Sequence, residues 1–85
     1  MYGGESVRVT FKAEKKIIGQ IIDWLGKDVV FTNATEDSVV AHVTVNENAM
    51  LYWALQYGLS VEILAPESLR IKMQEAARGL AEKYE

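Results

Sequence analysis

The sequence predicts an α+β domain in which a single antiparallel sheet carries helices on one of its faces. Three observations support this prediction. The 85-residue chain has 49% hydrophobic and 25% charged residues, which is typical of one globular domain. Its hydrophobic residues change several times between the two-residue period of strands and the 3.6-residue period of helices. Glycine and proline lie at the boundaries between these segments.

The first half of the chain begins with a predicted strand and a predicted helix. The strand is indicated by the segment SVRVTFK, in which hydrophobic and polar residues alternate. The helix is indicated by the segment EKKIIGQIIDWLG, whose isoleucines gather on one broad side. Gly26 lies at the end of this helix, where a glycine cap is expected. Gly19 lies inside the helix, so either another backbone approaches there or the glycine is merely tolerated, and we favour close packing on the sheet.

The second half continues with a hairpin, a helix, a strand and a final helix. Two β-branched runs, DVVFTNAT and SVVAHVTV, are joined by the polar connection EDS and predict an antiparallel pair. Asn46 is a suitable N-cap for the next helix, which Gly58 ends. The run VEIL predicts the last strand, and Pro66 begins the final helix. The predicted buried stripe of that helix is Leu69, Met73, Ala76, Ala77, Leu80 and Tyr84.

This order, βαββαβ plus a terminal helix, predicts a ferredoxin-like sandwich. In such a fold the antiparallel sheet has the strand order 4-1-3-2, and both crossover helices cover one face. We expect residues 6–85 to form this single domain. Residues 1–5, with the sequence MYGGE, are interpreted as a linker remnant or an added N-terminus.

The opposite face of the predicted sheet requires a cover or a ligand, because the two crossover helices leave it open. Strand alternation places mostly polar side chains there, including that of Glu62, with Val40 and Leu64 as apolar members. We consider five residues of this face as a candidate ligand-binding site: Arg8, Thr10, Lys12, His42 and Thr44.

The composition argues against several classes of chemistry. The chain has no cysteine and one histidine, so neither a thiolate site nor a multi-histidine metal site is expected. The carboxylates fall in predicted loops or first helical turns, where capping and solvation explain them. We therefore expect no catalytic residues, no metal and no cofactor. A net charge of −3 disfavours direct binding of nucleic acid. Because neither a signal peptide nor a membrane span is recognisable, we expect a cytoplasmic location.

The pattern of MYGGESVRVTFK, a helix ending in WLGKDV, a strand pair and WALQYGLSVEILAPESLR resembles a known family across nearly the whole chain. The family is the C-terminal extension (WCX) domain of WYL-domain helix-turn-helix transcriptional regulators, which are bacterial proteins. Trp53, Gly58, Pro66 and Leu69 match the framework of the family, and the resemblance implies a structural role for them. The first helix carries few basic residues, which argues against direct contact with nucleic acid.

The resemblance also implies a function and a set of partners. It implies a regulatory module that contributes to dimer assembly and effector sensing, while DNA is bound by a helix-turn-helix domain of the parent chain. The implied partners are a second copy, the WYL barrel of the parent, and a small-molecule or nucleic-acid effector. No membrane partner is expected.

The final helix offers a candidate interface on its back. Ile71 lies there among charged residues, and a solitary exposed isoleucine is also normal on a protein surface. The candidate interface residues are Ile71, Glu75, Arg78 and Glu82. An alternative function is binding of an anionic metabolite on the open sheet face. A third, an acylphosphatase-like enzyme, is disfavoured because KAEKK stands where an arginine-bearing anion loop would be needed.

Overall fold

The computed structural model describes residues 6–26 and 28–84. A single 3₁₀ turn at Lys15–Ile17 precedes the first α-helix. The predicted linker at residues 1–5 lies outside the described residues. The elements are β1 (Ser6–Glu14), α1 (Ile18–Leu25), β2 (Val30–Thr32), β3 (Ser38–Asn46), α2 (Glu47–Gln56), β4 (Val61–Ala65) and α3 (Glu67–Lys83).

The four strands form one antiparallel sheet in the order β2-β3-β1-β4. The α+β class is therefore confirmed, and β1 and β3 are the central strands. These two strands pair along their whole length, from Ser6 opposite Asn46 to Glu14 opposite Ser38. Strand β2 has only three residues, fewer than its β-branched run predicts. It ends early because Asn33 has a φ of 47°, which turns the chain out of the extended conformation.

One face of the sheet forms the hydrophobic core. Val9, Phe11 and Ala13 of β1 are completely buried against the inward residues of β3 and β4, and α1 and α2 cover them. This burial supplies most of the stabilisation available to a domain of this size, since the chain has no disulfide. The largest fully buried side chains are Phe11, Ile21, Met50, Leu69 and Val9.

Helix α1 packs through one narrow side. Ile17 and Ile21 are buried, and the N–H of Gly26 donates a hydrogen bond of 2.9 Å to the carbonyl of Ile22. The φ of 83° at Gly26 confirms the predicted glycine cap. The expected close approach at Gly19 is wrong, because a Cβ at this position would meet no atom within 4 Å. Gly19 lies half a turn away from the buried isoleucines and faces outwards.

Helix α2 begins and ends close to the predicted residues. The Asn46 side chain accepts a 3.0 Å hydrogen bond from the N–H of Ala49, which confirms the N-cap. Trp53 is buried at the centre of an aromatic cluster, with its ring 5.7 Å from that of Phe11. The helix ends at Gln56, and Gly58 lies in the turn that leads to β4.

The buried stripe predicted for α3 is only partly correct. Leu69 is completely buried and Met73 and Ala76 are half-buried, so the first half of the helix packs as predicted. Ala77, Leu80 and Tyr84 are instead exposed. For Ala77 and Leu80 the reason is a groove of about 520 Å³ between the second half of α3 and the connection from α2 to β4.

Candidate functional surfaces

The open face of the sheet brings together the five residues predicted to bind a ligand. Pairing between β1 and β3 places Arg8 opposite Thr44 and Thr10 opposite His42. Lys12 lies opposite Val40 on the same face. Arg8, Lys12 and Thr44 are exposed, while Thr10 and His42 are half-buried. The five side chains therefore share one surface, which is the arrangement that strand alternation predicts.

His42 is held in place by two threonines. The Thr10 hydroxyl lies 3.1 Å from Nδ1, and the Thr32 hydroxyl lies 2.8 Å from Nε2. Both ring nitrogens therefore have partners, and a ligand or metal could reach either one only by displacing a threonine. This arrangement favours a structural role for His42, linking β1, β2 and β3 on the open face.

Thr32 belongs to the cluster around His42, although it was not among the residues predicted from the sequence. Thr32 pairs with Val40 in the sheet, so its side chain lies on the open face next to that of His42. The available signal was the alternation of β2, which places Val30 and Thr32 on one side once β2 pairs with β3. Whether that side is the open face or the core face depends on the register of the hairpin. The predicted strand was longer than β2, so it did not define this register.

The positive charge of the open face is carried by Arg8 and Lys12. Among the described residues, the two salt bridges join Lys16 to Glu14 at 3.8 Å and Lys72 to Glu47, so neither involves these two cations. Lys12 lies opposite Glu62 of β4, which places an acidic residue beside it. The face is consequently polar and of mixed charge rather than strongly basic.

A second surface surrounds the groove beside α3, which we call the α3 groove. Leu59, at the turn before β4, has a relative exposure of 103%, and Leu80 has 48%. The groove is mainly apolar, so water contacts a continuous hydrophobic surface there. Its lining residues are Leu55, Gln56, Tyr57, Gly58, Leu59, Ser60, Met73, Ala77 and Leu80.

The back of α3 carries the predicted interface residues. Ile71 is 47% exposed, and Glu75, Arg78 and Glu82 are exposed as well. They follow the helical spacing i, i+4, i+7 and i+11, so they form one stripe opposite the α3 groove. The two sides of this helix therefore differ, one being mostly charged and the other mostly apolar.

The first turn of α3 is fastened to the start of α2 by polar contacts. The Ser68 hydroxyl donates a 2.9 Å hydrogen bond to the Glu47 carboxylate, and the Lys72 ammonium forms a salt bridge with it. The hydrogen bond from Lys72, followed by that from Ser68, lowers the pKa of the Glu47 carboxyl below its ordinary value. These contacts and the burial of Leu69 position the first half of α3.

Among residues 6–26 and 28–84, no cluster of three or more His, Cys, Asp or Glu side chains is arranged to hold a metal ion. In the same part of the chain, no helix combines the length and the apolar composition needed to cross a membrane.

Comparison with known families identifies the class of domain. The family model of the WCX domain matches residues 4–81, which is most of the chain. The chain therefore belongs to the WCX domain family, as the sequence resemblance predicted. The WCX domain is a regulatory type of domain associated with WYL-type transcriptional regulators. A comparison with curated proteins finds no match.

Proposed function

We propose that this domain is a non-enzymatic regulatory module of a bacterial WYL-type transcriptional regulator. It contributes to dimer assembly and to effector sensing, and a helix-turn-helix domain elsewhere in the parent chain binds DNA. The observation that carries this proposal is the family match over residues 4–81. The exposed apolar surface of the α3 groove supports the assembly role, because large apolar patches commonly mark interaction sites.

We also propose that the domain has a ferredoxin-like fold and that it is located in the cytoplasm. The order of elements and the β2-β3-β1-β4 sheet support this fold, since α1 and α2 pack on the same core. In this fold the second half of α3 is additional to the sandwich. It can therefore contribute apolar area to an interface without opening the core.

We assign the dimer contact to the α3 groove. Leu59 is fully exposed at the edge of the α3 groove. Two copies related by a two-fold axis can therefore each place Leu59 against the α3 groove of the other. Such a contact would cover Leu59 and Leu80, which are otherwise in water. The WYL barrel of the parent chain is a second possible neighbour for this surface.

The back of α3 is the alternative interface. If two α3 helices packed antiparallel there, centred between Glu75 and Arg78, Glu75 of each copy would face Arg78 of the other. This charge pattern is compatible with a symmetric contact, although exposed ion pairs contribute only about 0–1 kcal/mol each. The apolar groove side offers more favourable burial, and we therefore prefer it.

Two matched variants separate these interfaces. Leu80 and Ile71 lie on opposite sides of α3 and are almost equally exposed, at 48% and 47%. In sedimentation velocity, we expect the chain to dimerise, Leu80→Ser to weaken the dimer at least tenfold, and Ile71→Ser to leave it unchanged. The reverse ranking would move the interface to the back of α3. A chain that remains monomeric up to millimolar concentration would contradict the assembly role.

The second candidate function is binding of an anionic metabolite on the open sheet face. It is favoured by the exposure of Arg8 and Lys12 on the same strand. The test is to titrate the parent regulator with candidate effectors, using Arg8→Ala/Lys12→Ala and, as control, Lys83→Ala at the end of α3. Loss of effector affinity in the double variant alone would support this function, and unchanged affinity would exclude it.

A further inference from the structure

A third surface lies between α1 and α2, where a cleft of about 260 Å³ opens beside the aromatic cluster. We call it the aromatic cleft. It is separate from the open sheet face, because α1 and α2 cover the opposite side of the sheet. Its lining residues are Gln20, Asp23, Trp24, Trp53, Gln56 and Tyr57.

Three aromatic residues, Trp24, Trp53 and Tyr57, line the cleft. The indole of Trp24 stacks on that of Trp53, with ring centroids 5.9 Å apart and an interplanar angle of 25°. The centroid of the Tyr57 ring lies 5.1 Å from that of Trp53, with an interplanar angle of 44°. Trp53 is buried, whereas Trp24 is 47% exposed. Stacking covers one face of the Trp24 indole, and the residue as a whole is still nearly half exposed to solvent.

The polar lining of the cleft is acidic and rich in acceptors. Asp23 contributes a carboxylate, and Gln20 and Gln56 contribute amide oxygens that can accept hydrogen bonds. Within the part of the chain that the structure describes, neither a lysine nor an arginine lines the cleft. Aromatic faces attract cations through the ring quadrupole, and a carboxylate adds a direct charge interaction. Both features favour a positively charged guest.

The size of the cleft indicates what kind of cation it accommodates. Pockets for drug-sized ligands usually measure roughly 300–1,000 Å³. A cleft of about 260 Å³ is below that range and suits one long side chain better than a whole metabolite. A nucleotide is also disfavoured, because its phosphates would approach Asp23 in a chain of net charge −3.

We propose that the aromatic cleft binds an arginine side chain presented by a partner polypeptide. A guanidinium group is planar, so it can stack on Trp24 while its edge donates hydrogen bonds to the Asp23 carboxylate. Its remaining N–H groups can reach the amide oxygens of Gln20 and Gln56. A lysine ammonium satisfies the charge but not the stacking. The cleft shares Gln56 and Tyr57 with the rim of the α3 groove, whereas Asp23 and Trp24, which carry this contact, lie outside that groove.

The direct test is a titration of the chain with N-acetyl-arginine methylamide, observed through the indole N–H signals of the two tryptophans. We expect the Trp24 signal to move and saturate in the millimolar range, as suits one side chain without its flanking peptide. Trp24→Phe serves to assign the signal. The neutral isostere N-acetyl-citrulline methylamide should bind about tenfold more weakly, because it lacks the charge. Tetramethylammonium, which has no N–H donors, should also bind more weakly.

A matched pair of variants tests the role of the carboxylate. Asp23 is exposed on α1, so Asp23→Asn removes its charge without disturbing the core. We expect Asp23→Asn to weaken binding of the arginine derivative about three- to fivefold. Glu62→Gln removes an exposed charge on the opposite side of the sheet and should leave the affinity unchanged. Equal affinity for the arginine and citrulline derivatives would overturn the proposal, as would equal weakening by both variants.

Discussion

At the scale of single residues, the protonation state of the Glu47 carboxylate affects how firmly α3 is attached to the start of α2. Lys72 and Ser68 donate hydrogen bonds to it, and these lower its pKa in the folded state. A carboxyl group whose pKa is lower in the folded state than in the unfolded state stabilises the fold above the unfolded value. That contribution is lost as the pH falls through the folded pKa.

We therefore expect acidification to weaken the attachment of α3 through Glu47. Urea unfolding measures the free energy of unfolding at pH 7 and at pH 3. Its decrease from pH 7 to pH 3 should be larger for the natural chain than for Glu47→Gln. The variant should cost about 0.5–1 kcal/mol at pH 7, as is usual for a partly exposed ion pair. Glu67→Gln, which changes an exposed neighbouring carboxylate, is the control. Identical pH profiles for the natural chain and Glu47→Gln would contradict this account of Glu47.

Replacing Gly19 or Gly26 by alanine should change the stability of the domain in opposite directions. Gly19 is exposed inside α1 with open space at its Cβ position, so Gly19→Ala should stabilise the domain by about 0.5–1 kcal/mol. Gly26 has a φ of 83°, so Gly26→Ala should destabilise it by about 1 kcal/mol or more. Thermal unfolding of both variants measures these changes. A lower Tm for Gly19→Ala would show that α1 needs a glycine there for another reason.

Local chemistry explains why some residues could be predicted from sequence and others could not. The N-cap of Asn46 and the C-cap of Gly26 depend on a few neighbouring atoms, and both were predicted correctly. The environment of Gly19 depends on how α1 is rotated against the sheet. Helical periodicity defines an apolar side, but two residues of the α1 isoleucine group, Ile18 and Ile22, are not fully buried.

At the scale of secondary-structure elements, α3 has two halves with different roles. Leu69 is completely buried, and Leu80, eleven residues later on the same side, is 48% exposed. Leu69→Ala should therefore destabilise the domain by about 2–5 kcal/mol, because it leaves a cavity in the core. Leu80→Ala should change the stability of the dilute monomer by less than about 0.5 kcal/mol. Urea unfolding at micromolar concentration compares them, and equal losses would mean that the second half of α3 also packs on the monomer.

Periodicity predicted the apolar side of α3 but not the surface that covers it. The stripe from Leu69 to Tyr84 is continuous in the sequence, yet the groove beside Leu80 leaves its second half in water. A sequence pattern shows that a surface is apolar, and the neighbour that buries it can belong to the same chain or to another. The short length of β2 was missed for a related reason, because propensity alone does not show where a hairpin turns.

At the scale of the whole molecule, the domain has three exposed surfaces on one small core, and two of them adjoin at Gln56 and Tyr57. The open sheet face is polar, with His42 fixed between two threonines. The α3 groove is apolar, and the aromatic cleft is acidic and aromatic. The candidate ligand residues of the open face could be predicted from alternation and strand pairing. The two other surfaces depend on how helices pack side by side, and single-sequence patterns do not define that packing.

The second half of α3 is exposed in the monomer, and we propose that it becomes covered when two copies meet. Amide hydrogen exchange of residues 74–83, measured at increasing protein concentration, tests this most directly. We expect their exchange to slow as the dimer forms, together with that of residues 57–60, while the Gly19 region of α1 stays unchanged. Exchange that is independent of concentration in residues 74–83 and 57–60, in samples shown to be dimeric, would contradict the claim.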